Sequence, residues 1–499
     1  MKKPLATIAL AGISLLLTFA ACNNASGPGV NPSAPNAPAA TVHHGRVHRG
    51  DSGPQDLHAG GSDFDGYAYN LLVQPVGLAS GNPAQPGPGV GSLFYEAPTV
   101  GSIYYCLNSS GHGREDFEEN YKDEATEACP ALGAAFGGFG GRQDPLDFVG
   151  SSIGIPAEAS SWGVECCASG TVYYDNRYQG SPSWGWPFQF PNIGGVIVFA
   201  YWANGLTSTI DLSTWTYCAI ANGTVYNWDD PAITADNGGN SVDGGENNPI
   251  TFYYRSDSSG TSYNFTYALN TYCNPSSWPA PYDAAPYQAG GRSAAWTYGP
   301  NSNWPGPKGT GPASDPYDFV GENGAPALTA AIQSTQFSTG YLEGAYARGA
   351  SGPKLDQADL QNGYKKKTGA VFINPTSKTA IGDDFKGLTP ADIETDVGSD
   401  NGDPLDSGNP GCILLIPNSD LVSPAKGAYP IYAVTYLLFY GNNNGVHTSD
   451  KETLIKWIES SAVNKYLQPL EYSPLPASIQ SAVLTAYSSG GAGSTACVQ

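Results

Sequence analysis

Residues 250–266 read ITFYYRSDSSGTSYNFT. The first five form an apolar, aromatic-rich run that is typical of a β-strand. Arg255 follows this run directly, and small hydroxyl residues with one glycine lead into a segment where a helix could begin. The stretch therefore predicts a strand, an arginine-bearing loop and a helix in direct succession.

This loop carries the residue types of an anion cradle. Arg255 offers a planar guanidinium fork, Ser259 and Thr261 offer hydroxyl donors, and a helix N-terminus offers free backbone N–H groups. Asp257 stands where its carboxylate would hold Arg255 in place, although a purely local Arg255–Asp257 ion pair is the alternative. The loop predicts a site for a small tetrahedral oxyanion, with phosphate as the first candidate.

The chain is strongly acidic, with a formal net charge of −22 from 22 Lys and Arg against 44 Asp and Glu. Nucleic acid is not an expected partner, because binding a phosphate backbone needs clustered cations. A local, donor-rich site still holds an anion, since close hydrogen bonds outweigh surface charges that salt screens.

The N-terminus has the pattern of an export signal. Lys2 and Lys3 precede an apolar core at 8–19, and the segment closes with Phe19-Ala20-Ala21-Cys22. That ending resembles the lipobox of bacterial lipoproteins, which implies acylation of Cys22 and a lipid anchor in the cell envelope. Phe19 replaces the usual leucine-like residue, so plain secretion is the alternative.

Eight cysteines follow Cys22, and an even count in an exported chain favours disulfide bonds. Eight cysteines allow about 105 connectivities, so the pairing stays open. Their spacing does not fit a zinc site, and we expect no metal and no cofactor.

The rest of the chain divides by composition and pattern. Residues 23–62 are rich in Ala, Pro, Asn, Gly and Ser, which predicts a flexible tether before a folded body. Continuous apolar runs at 194–200 and 411–417 predict two buried strands. Helix-like patterns predict helices at 325–333, 429–440, 450–459 and 476–487.

Seven fragments of the chain occur in the order in which one known family carries them. They are residues 89–98 (GVGSLFYEAP), 137–141 (GGFGG), 147–152 (DFVGSS), 189–196 (QFPNIGGV), 220–233 (IANGTVYNWDDPAI), 255–261 (RSDSSGT) and 340–347 (GYLEGAYA). Together they resemble the periplasmic phosphate-binding proteins of bacterial ABC phosphate transporters. The resemblance extends over most of the chain, interrupted by insertions.

This resemblance implies an α/β fold of the type II periplasmic-binding-protein class, in which two lobes with mixed sheets are joined by two crossing strands. The runs at 194–200 and 411–416 are the candidates for those crossings. The implied organisation is a lipoprotein-type signal peptide at 1–22, a tether at 23–62, lobe I at 63–194, lobe II with insertions at 195–410, and a return to lobe I at 411–499.

The implied function is capture of inorganic phosphate between the lobes and delivery to the membrane permease of an ABC transporter. Such a protein is exported, lies in the periplasm or on the cell surface, and is not an enzyme. Closure over the ligand would be a hinge motion.

The resemblance carries the binding role onto particular residues. Arg255 would be the bidentate charge partner and Asp257 would orient it, while Ser259 and Thr261 donate hydroxyls and Gly260 donates its backbone N–H. Leu93 and Phe94 would form the first loop, where leucine replaces a hydroxyl residue and leaves only backbone donors. Gly140 would belong to the second loop, where the family usually has a serine.

The third loop departs most from the family. Ser151 and Ser152 end the fragment, and Ser152 takes the place of the family aspartate that accepts a proton from hydrogen phosphate. An ionised carboxylate there repels fully ionised sulfate, because two acceptors would face each other. Serine predicts weaker discrimination against sulfate or a preference for more protonated phosphate, unless Asp147 or Asp144 takes this role.

Three other functions stay open at this point. The same fold could bind sulfate, arsenate or another oxyanion, and Ser152 favours that. A secreted phosphatase would need an activated nucleophile or metal ions, and no histidine stands near the loop. The high Tyr, Gly and Asn content would also suit a surface structural protein that reuses the fold.

Overall fold

The computed structural model describes residues 57–71, 88–107, 109–111, 113–114, 147–154, 187–274, 291–312, 317–349, 354–362, 371–377, 385, 387–393, 412–422, 427–440, 447–489 and 497. The predicted signal peptide, Cys22 and Gly140 lie outside these residues. Within them, no helix combines the length and the apolar character needed to cross a membrane.

Strands occur along the whole described chain. They are β1 Leu57–Gly61, β2 Ile103–Leu107, β3 Phe148–Ser151, β4 Pro187–Tyr201, β5 Asp211–Leu212, β6 Thr251–Arg255, β7 Gly309–Thr310, β8 Asp318–Glu322, β9 Ser338–Glu343, β10 Asp356–Gln357, β11 Asp359–Gln361, β12 Phe372–Ile373, β13 Tyr432–Tyr440 and β14 Tyr472–Pro474.

Helices alternate with many of these strands. They are α1 Gly66–Asn70, α2 Leu93–Glu96, α3 Thr214–Ala221, α4 Pro231–Asp236, α5 Gly260–Tyr272, α6 Gly324–Ser334, α7 Gly344–Arg348, α8 Asn418–Leu421, α9 Thr448–Ile458, α10 Asn464–Leu467 and α11 Ala477–Ser489. Short 3₁₀ turns lie at Pro390–Asp392, Ser461–Val463 and Gln468–Leu470.

One hydrogen-bonded ladder runs in the order β2-β1-β3-β13-β4-β9-β6-β8-β7. The long strand β4 divides it, because residues 187–196 pair with β13 and residues 197–201 pair with β9. We call the strands on the β13 side the first half-sheet and those on the β9 side the second half-sheet. Each combines parallel and antiparallel pairs, so the predicted mixed α/β class with two mixed sheets is confirmed.

The secondary structure of residues 429–440, which lie beside β4, differs from the prediction. Residues 429–440 were expected to be helical, but Tyr432–Tyr440 forms β13 and pairs antiparallel with both β3 and β4. Its YAVTYLLFY sequence is rich in aromatic and β-branched residues, and residues 432–439 are buried on both faces, which suits a central strand. Residues 412–417 form no extended strand, and Ile413 makes an isolated bridge with Gln189. The second long strand beside β4 is therefore β13.

The tether predicted at 23–62 extends too far along the chain, because its last residues belong to the folded body. Leu57–Gly61 forms β1, which lies between β2 and β3 and is parallel to both. The sequence LHAGG has little apolar character, but a central strand gains backbone hydrogen bonds on both edges and does not depend on its side chains alone. The folded body therefore includes residues before 63.

The other predicted elements are confirmed with small shifts in their ends. The run at 194–200 lies within β4, and the helices at 325–333, 450–459 and 476–487 correspond to α6, α9 and α11. Cysteines form disulfide bonds, as the even count indicated: Cys218 pairs with Cys273, and Cys412 pairs with Cys497.

Candidate functional site

Arg255 is the last residue of β6, and its side chain is only 2% exposed. β6 lies between β9 and β8 and runs parallel to both. The oxygen of the Tyr341 hydroxyl accepts a hydrogen bond from the backbone N–H of Arg255 at 3.1 Å. Ligands of α/β folds bind at the carboxyl ends of parallel strands, and Arg255 stands at such an end.

Three carboxylates surround the guanidinium group of Arg255. Asp257 accepts hydrogen bonds from Nε, at 2.7 Å, and from Nη2. Asp63 accepts a hydrogen bond from Nη2 at 2.9 Å. Glu343 Oε1 lies 3.9 Å from Nη1, which is within ion-pair range but too long for a hydrogen bond. Asp257 thus lies where the sequence indicated, and Asp63 and Glu343 are additional.

Asp63 connects the two half-sheets. It follows β1 of the first half-sheet, yet its carboxylate contacts Arg255 of the second. Its Oδ2 also accepts from the backbone N–H of Ala325 at 3.1 Å, and its Oδ1 accepts from the N–H of Ser109 at 3.3 Å. The Tyr346 hydroxyl donates to the Asp63 backbone carbonyl at 2.9 Å. Four separate segments therefore converge on one acidic residue.

The pKa values of these carboxylates shift in different directions. Burial raises the pKa of Asp63 and of Glu343, and in both cases the effect of burial outweighs the opposing attraction of Arg255. Burial also disfavours the ionised form of Asp257, but its ion pair and hydrogen bonds with Arg255 are stronger and lower its pKa overall. Arg255 and Asp257 therefore form the stronger ion pair, and burial disfavours the ionised forms of Asp63 and Glu343.

Three serine hydroxyls lie beside the start of α5, and these serines follow strands β1, β2 and β3 of the first half-sheet. The hydroxyls of Ser62 and Ser152 lie 2.6 Å apart, and Ser110 Oγ accepts from the N–H of Ser152 at 3.0 Å. Gly260 approaches this group so closely that a Cβ built on it would lie 2.6 Å from both Ser110 Oγ and Ser152 Cβ. Only a glycine allows this approach of α5 to the first half-sheet.

The N-terminus of α5 is capped by the predicted residues. Ser259 Oγ accepts from the N–H of Ser262 at 3.3 Å, and the Thr261 hydroxyl donates to the Glu343 carboxylate. The first N–H groups of a helix lack intrahelical partners, and their partial positive charge favours an anion. Arg255, Asp257, Ser259, Gly260 and Thr261 are thus brought together as the sequence predicted.

Other predicted residues fall elsewhere. Leu93 and Phe94 lie in α2 and are buried, with Phe94 stacked on Tyr69 at a ring distance of 4.3 Å. Their side chains pack in the aromatic core, because an apolar side chain gains more from burial there than from a polar loop. The predicted donation by their backbone N–H groups stays a prediction. Ser151 is buried, and its hydroxyl donates to the Ile153 carbonyl at 2.8 Å.

Asp147 does not replace the missing aspartate in the Arg255 cluster. Its carboxylate contacts His447 Nδ1 at 2.9 Å and Lys451 Nζ at 3.1 Å, both of which belong to the start of α9. Asp144 lies outside the described residues. Ser152 itself is at the site, in contact with Ser62.

Sequence reasoning missed Ser62, Asp63, Ser110 and Glu343. The prediction of a tether up to residue 62 caused Ser62 and Asp63 to be missed. Gly60 and Gly61 are the last two residues of β1. Gly61 has φ +127°, and a Cβ there would lie 2.1 Å from the Gly150 carbonyl oxygen, so a glycine is required where the strand leads into Ser62 and Asp63.

The site has several groups that can bind an anion. Among the described residues, no group of three or more His, Cys, Asp or Glu side chains is arranged to hold a metal ion. The geometry offers one guanidinium, a helix N-terminus and several hydroxyls, together with three carboxylates. Such a set suits a small oxyanion that accepts and donates hydrogen bonds.

These features define a two-part α/β binding protein with a polar site between its half-sheets. A family model described as a PBP superfamily domain matches residues 189–462, which is more than half of the chain. The chain belongs to the PBP superfamily.

Relatives and solved structures agree with this assignment. The phosphate-binding protein PstS2 of Mycobacterium bovis (strain BCG / Pasteur 1173P2) is 27% identical over 85% of this chain and 83% of that protein. A phosphate-binding protein from Stenotrophomonas maltophilia matches with a TM-score of 0.55 at 18% identity, covering 86% of this chain and 93% of that one.

A second solved structure is a high affinity periplasmic phosphate-binding protein, PfluDING, bound with phosphate. It matches with a TM-score of 0.55 at 18% identity, over 87% of this chain and 94% of that one. Identities this low establish a shared fold, and the ligand of this chain is a separate question.

Proposed function

We propose that this chain is an extracytoplasmic solute-binding protein that captures inorganic phosphate for an ABC transporter. The observation that carries the proposal is the buried Arg255 at the end of β6, in the segment that leads into α5, where residues of both half-sheets meet. A fixed guanidinium fork beside a helix N-terminus suits a tetrahedral oxyanion. The relatives named phosphate-binding protein favour phosphate among such anions.

The chain is a binding protein and not an enzyme, in keeping with the superfamily to which it belongs. It acts outside the cytoplasm, as periplasmic binding proteins do. Its partners are the phosphate ligand and the membrane permease that receives it.

The proposed binding motion is closure of two lobes. Lobe I would comprise residues 63–194 and 411–499, extended at its start by β1, and lobe II would comprise residues 195–410. Asp63, Ser110 and Ser152 would belong to lobe I, and Arg255 and Gly260 to lobe II. On this division, the close contacts between these residues would correspond to a closed form that encloses the ligand.

Isothermal titration of the exported protein, freed of bound ligand by dialysis, tests the proposal. Phosphate is expected to bind with one site per chain. Arg255→Lys keeps the charge but loses the planar fork, and is expected to weaken binding by at least about thirtyfold.

Arg292→Lys is the matched control, because Arg292 pairs with Asp230 away from the site. It is expected to bind phosphate as the wild type does. No phosphate binding by the wild type between acidic and neutral pH would refute the proposal, and titration with sulfate and arsenate then tests the alternative oxyanions.

We further propose that Cys22 carries a lipid anchor. The support is the small-residue segment before Cys22 and the apolar core that precedes it. Cys22→Ser is expected to release the protein from the membrane fraction and to abolish labelling by a fatty-acid analogue. Unchanged membrane association of the Cys22→Ser protein would contradict the anchor.

A further inference from the structure

One segment between α5 and β7 lies against the strand that carries Arg255. We call residues 296–304 the bracing segment. Trp304 is only 2% exposed, and its ring stacks on those of Tyr254 and Tyr341, at centroid distances of 5.5 and 5.4 Å. Tyr254 directly precedes Arg255, and the Tyr341 hydroxyl accepts from the Arg255 N–H. Buried aromatic contacts therefore fix the bracing segment beside the end of β6.

The bracing segment also follows α5 along the helix. The Trp296 N–H donates to the carbonyl of Cys273, the residue that follows α5, at 3.3 Å. Thr266 Oγ1, in the middle of α5, accepts from the Asn301 N–H at 2.9 Å. Because these contacts come first at the end and then in the middle of α5, the next residue of the segment reaches the start of the helix.

Ser302 contacts the loop that joins Arg255 to α5. Its backbone carbonyl accepts from the N–H of Ser259, the N-cap of α5, at 3.0 Å. Its hydroxyl oxygen accepts from the Ser258 hydroxyl at 3.2 Å, and Ser302 is only 1% exposed. The Ser258 carbonyl in turn accepts from the N–H of Gly111, which follows β2 of the first half-sheet, at 3.1 Å. Ser258 therefore lies between the bracing segment and the first half-sheet.

Phosphate binding needs the Arg255 guanidinium and the first N–H groups of α5 at a fixed spacing. Residues 256–259 set that spacing, and ordering a loose loop on binding would reduce the affinity. We propose that Ser302 is a positioning residue for phosphate capture, which holds Ser258 and Ser259 in place before the ligand arrives. This inference rests on the proposed function and adds to it a residue that acts through its neighbours.

A purely structural role for the bracing segment makes a different prediction. The packing of Trp304 stabilises the core whether or not a ligand binds. The polar contacts of Ser302 go instead to the two residues before α5. Substitutions at Ser302 should therefore change phosphate affinity more than they change thermal stability.

Isothermal titration with phosphate, on the exported protein freed of bound ligand by dialysis, measures the effect on affinity. Ser302→Ala removes the acceptor of the Ser258 hydroxyl and keeps the carbonyl, and it is expected to weaken binding by about two- to tenfold. Ser302→Gly also frees the backbone, and it is expected to weaken binding by a further factor of about two to five. Thermal unfolding of the same ligand-free proteins measures the effect on stability.

Hydrogen exchange of the ligand-free protein provides a second readout. Ser302→Gly is expected to speed exchange over residues 256–262. Ser338→Ala is the matched control, because Ser338 is fully buried and its hydroxyl donates to backbone carbonyls. Ser338 pairs with Thr251, at the end of β6 opposite to Arg255. Ser338→Ala is expected to keep the wild-type affinity and the wild-type exchange over residues 256–262.

Ser258→Ala removes the same hydroxyl contact from the other side, and it decides the question if a Ser302 variant fails to fold. Its loss of affinity is expected to equal that of Ser302→Ala, with no further loss when the two substitutions are combined. Losses that add up in the combined variant would mean that the two hydroxyls act independently, and would overturn the inference.

The outcomes separate this inference from the proposed function. Wild-type affinity in the Ser302 and Ser258 variants, or an equal loss in Ser338→Ala, would overturn the role of Ser302 and leave phosphate capture intact. If the wild type binds no phosphate, the proposed function itself fails, and the exchange measurement then decides whether Ser302 holds the loop.

Discussion

Gly260→Ala tests whether the arrangement seen here is the ligand-bound one. Gly260 is the first residue of α5, and it is not among the glycines with positive φ. Alanine therefore suits the local backbone and favours the helix. The added Cβ would, however, lie 2.6 Å from Ser110 Oγ and from Ser152 Cβ, where ordinary contact begins at 3.4 Å. The overlap is 3.4 − 2.6, or about 0.8 Å, at two atoms.

This overlap gives a magnitude for the loss of affinity. Overpacking of a buried contact costs about 1–3 kcal/mol, which corresponds to about 5- to 150-fold in an equilibrium constant. Ser110 and Ser152 belong to the first half-sheet and Gly260 to the second, so an open form of the protein escapes the clash. We expect weaker phosphate binding with little change in the thermal stability of the ligand-free protein.

Isothermal titration and thermal unfolding, with and without phosphate, measure the two effects separately. Ser152→Gly added to Gly260→Ala removes one of the two contacts at 2.6 Å and is expected to restore part of the affinity. Wild-type affinity in Gly260→Ala would refute the reasoning, because it would mean that α5 does not approach Ser110 and Ser152 in the bound state.

Three further predictions concern stability. Replacing Cys218 and Cys273 by alanine opens a disulfide loop of sequence separation 55 and is expected to cost about 4 kcal/mol of unfolding free energy, measured by denaturant titration. Burial raises the pKa of Asp359 from 3.8 to about 6. The folded state then holds its proton more tightly than the unfolded state, so stability should fall as pH rises through this range, and Asp359→Asn should flatten that part of the pH–stability curve. Burial also raises the pKa of Asp65 well above its usual value; Asp65→Asn should therefore raise the melting temperature at neutral pH more than at acidic pH, and an equal effect at both would contradict this.

The parts of the site that were predictable lie close together in the chain. Arg255, Asp257, Ser259 and Thr261 fall within seven residues, and their roles follow from local chemistry: an arginine after a strand and hydroxyls at a helix start. The same is true of α6, α9 and α11, where a helical pattern of apolar residues coincides with the helix. A short stretch of sequence contains all the information that these features require.

The rest of the site depends on pairing between distant segments. Asp63 and Arg255 are 192 positions apart, and they meet because β1 pairs with β2 and β3 while β4 joins the two half-sheets. No local pattern reports that pairing, and LHAGG resembles a linker as closely as a strand. The helix predicted at 429–440 was wrong for a related reason, because a continuous apolar run fits a buried helix or a central strand equally well.

A residue-by-residue comparison with a family is insufficient to find the carboxylates of this site. Ser152 alone predicts a pocket that lacks a carboxylate at the end of β3. In the folded chain, Ser152 contacts Ser62, and the next residue, Asp63, places a carboxylate on Arg255. The charge around Arg255 therefore depends on the ends of β1, β3 and β6 together and cannot be inferred from position 152 alone.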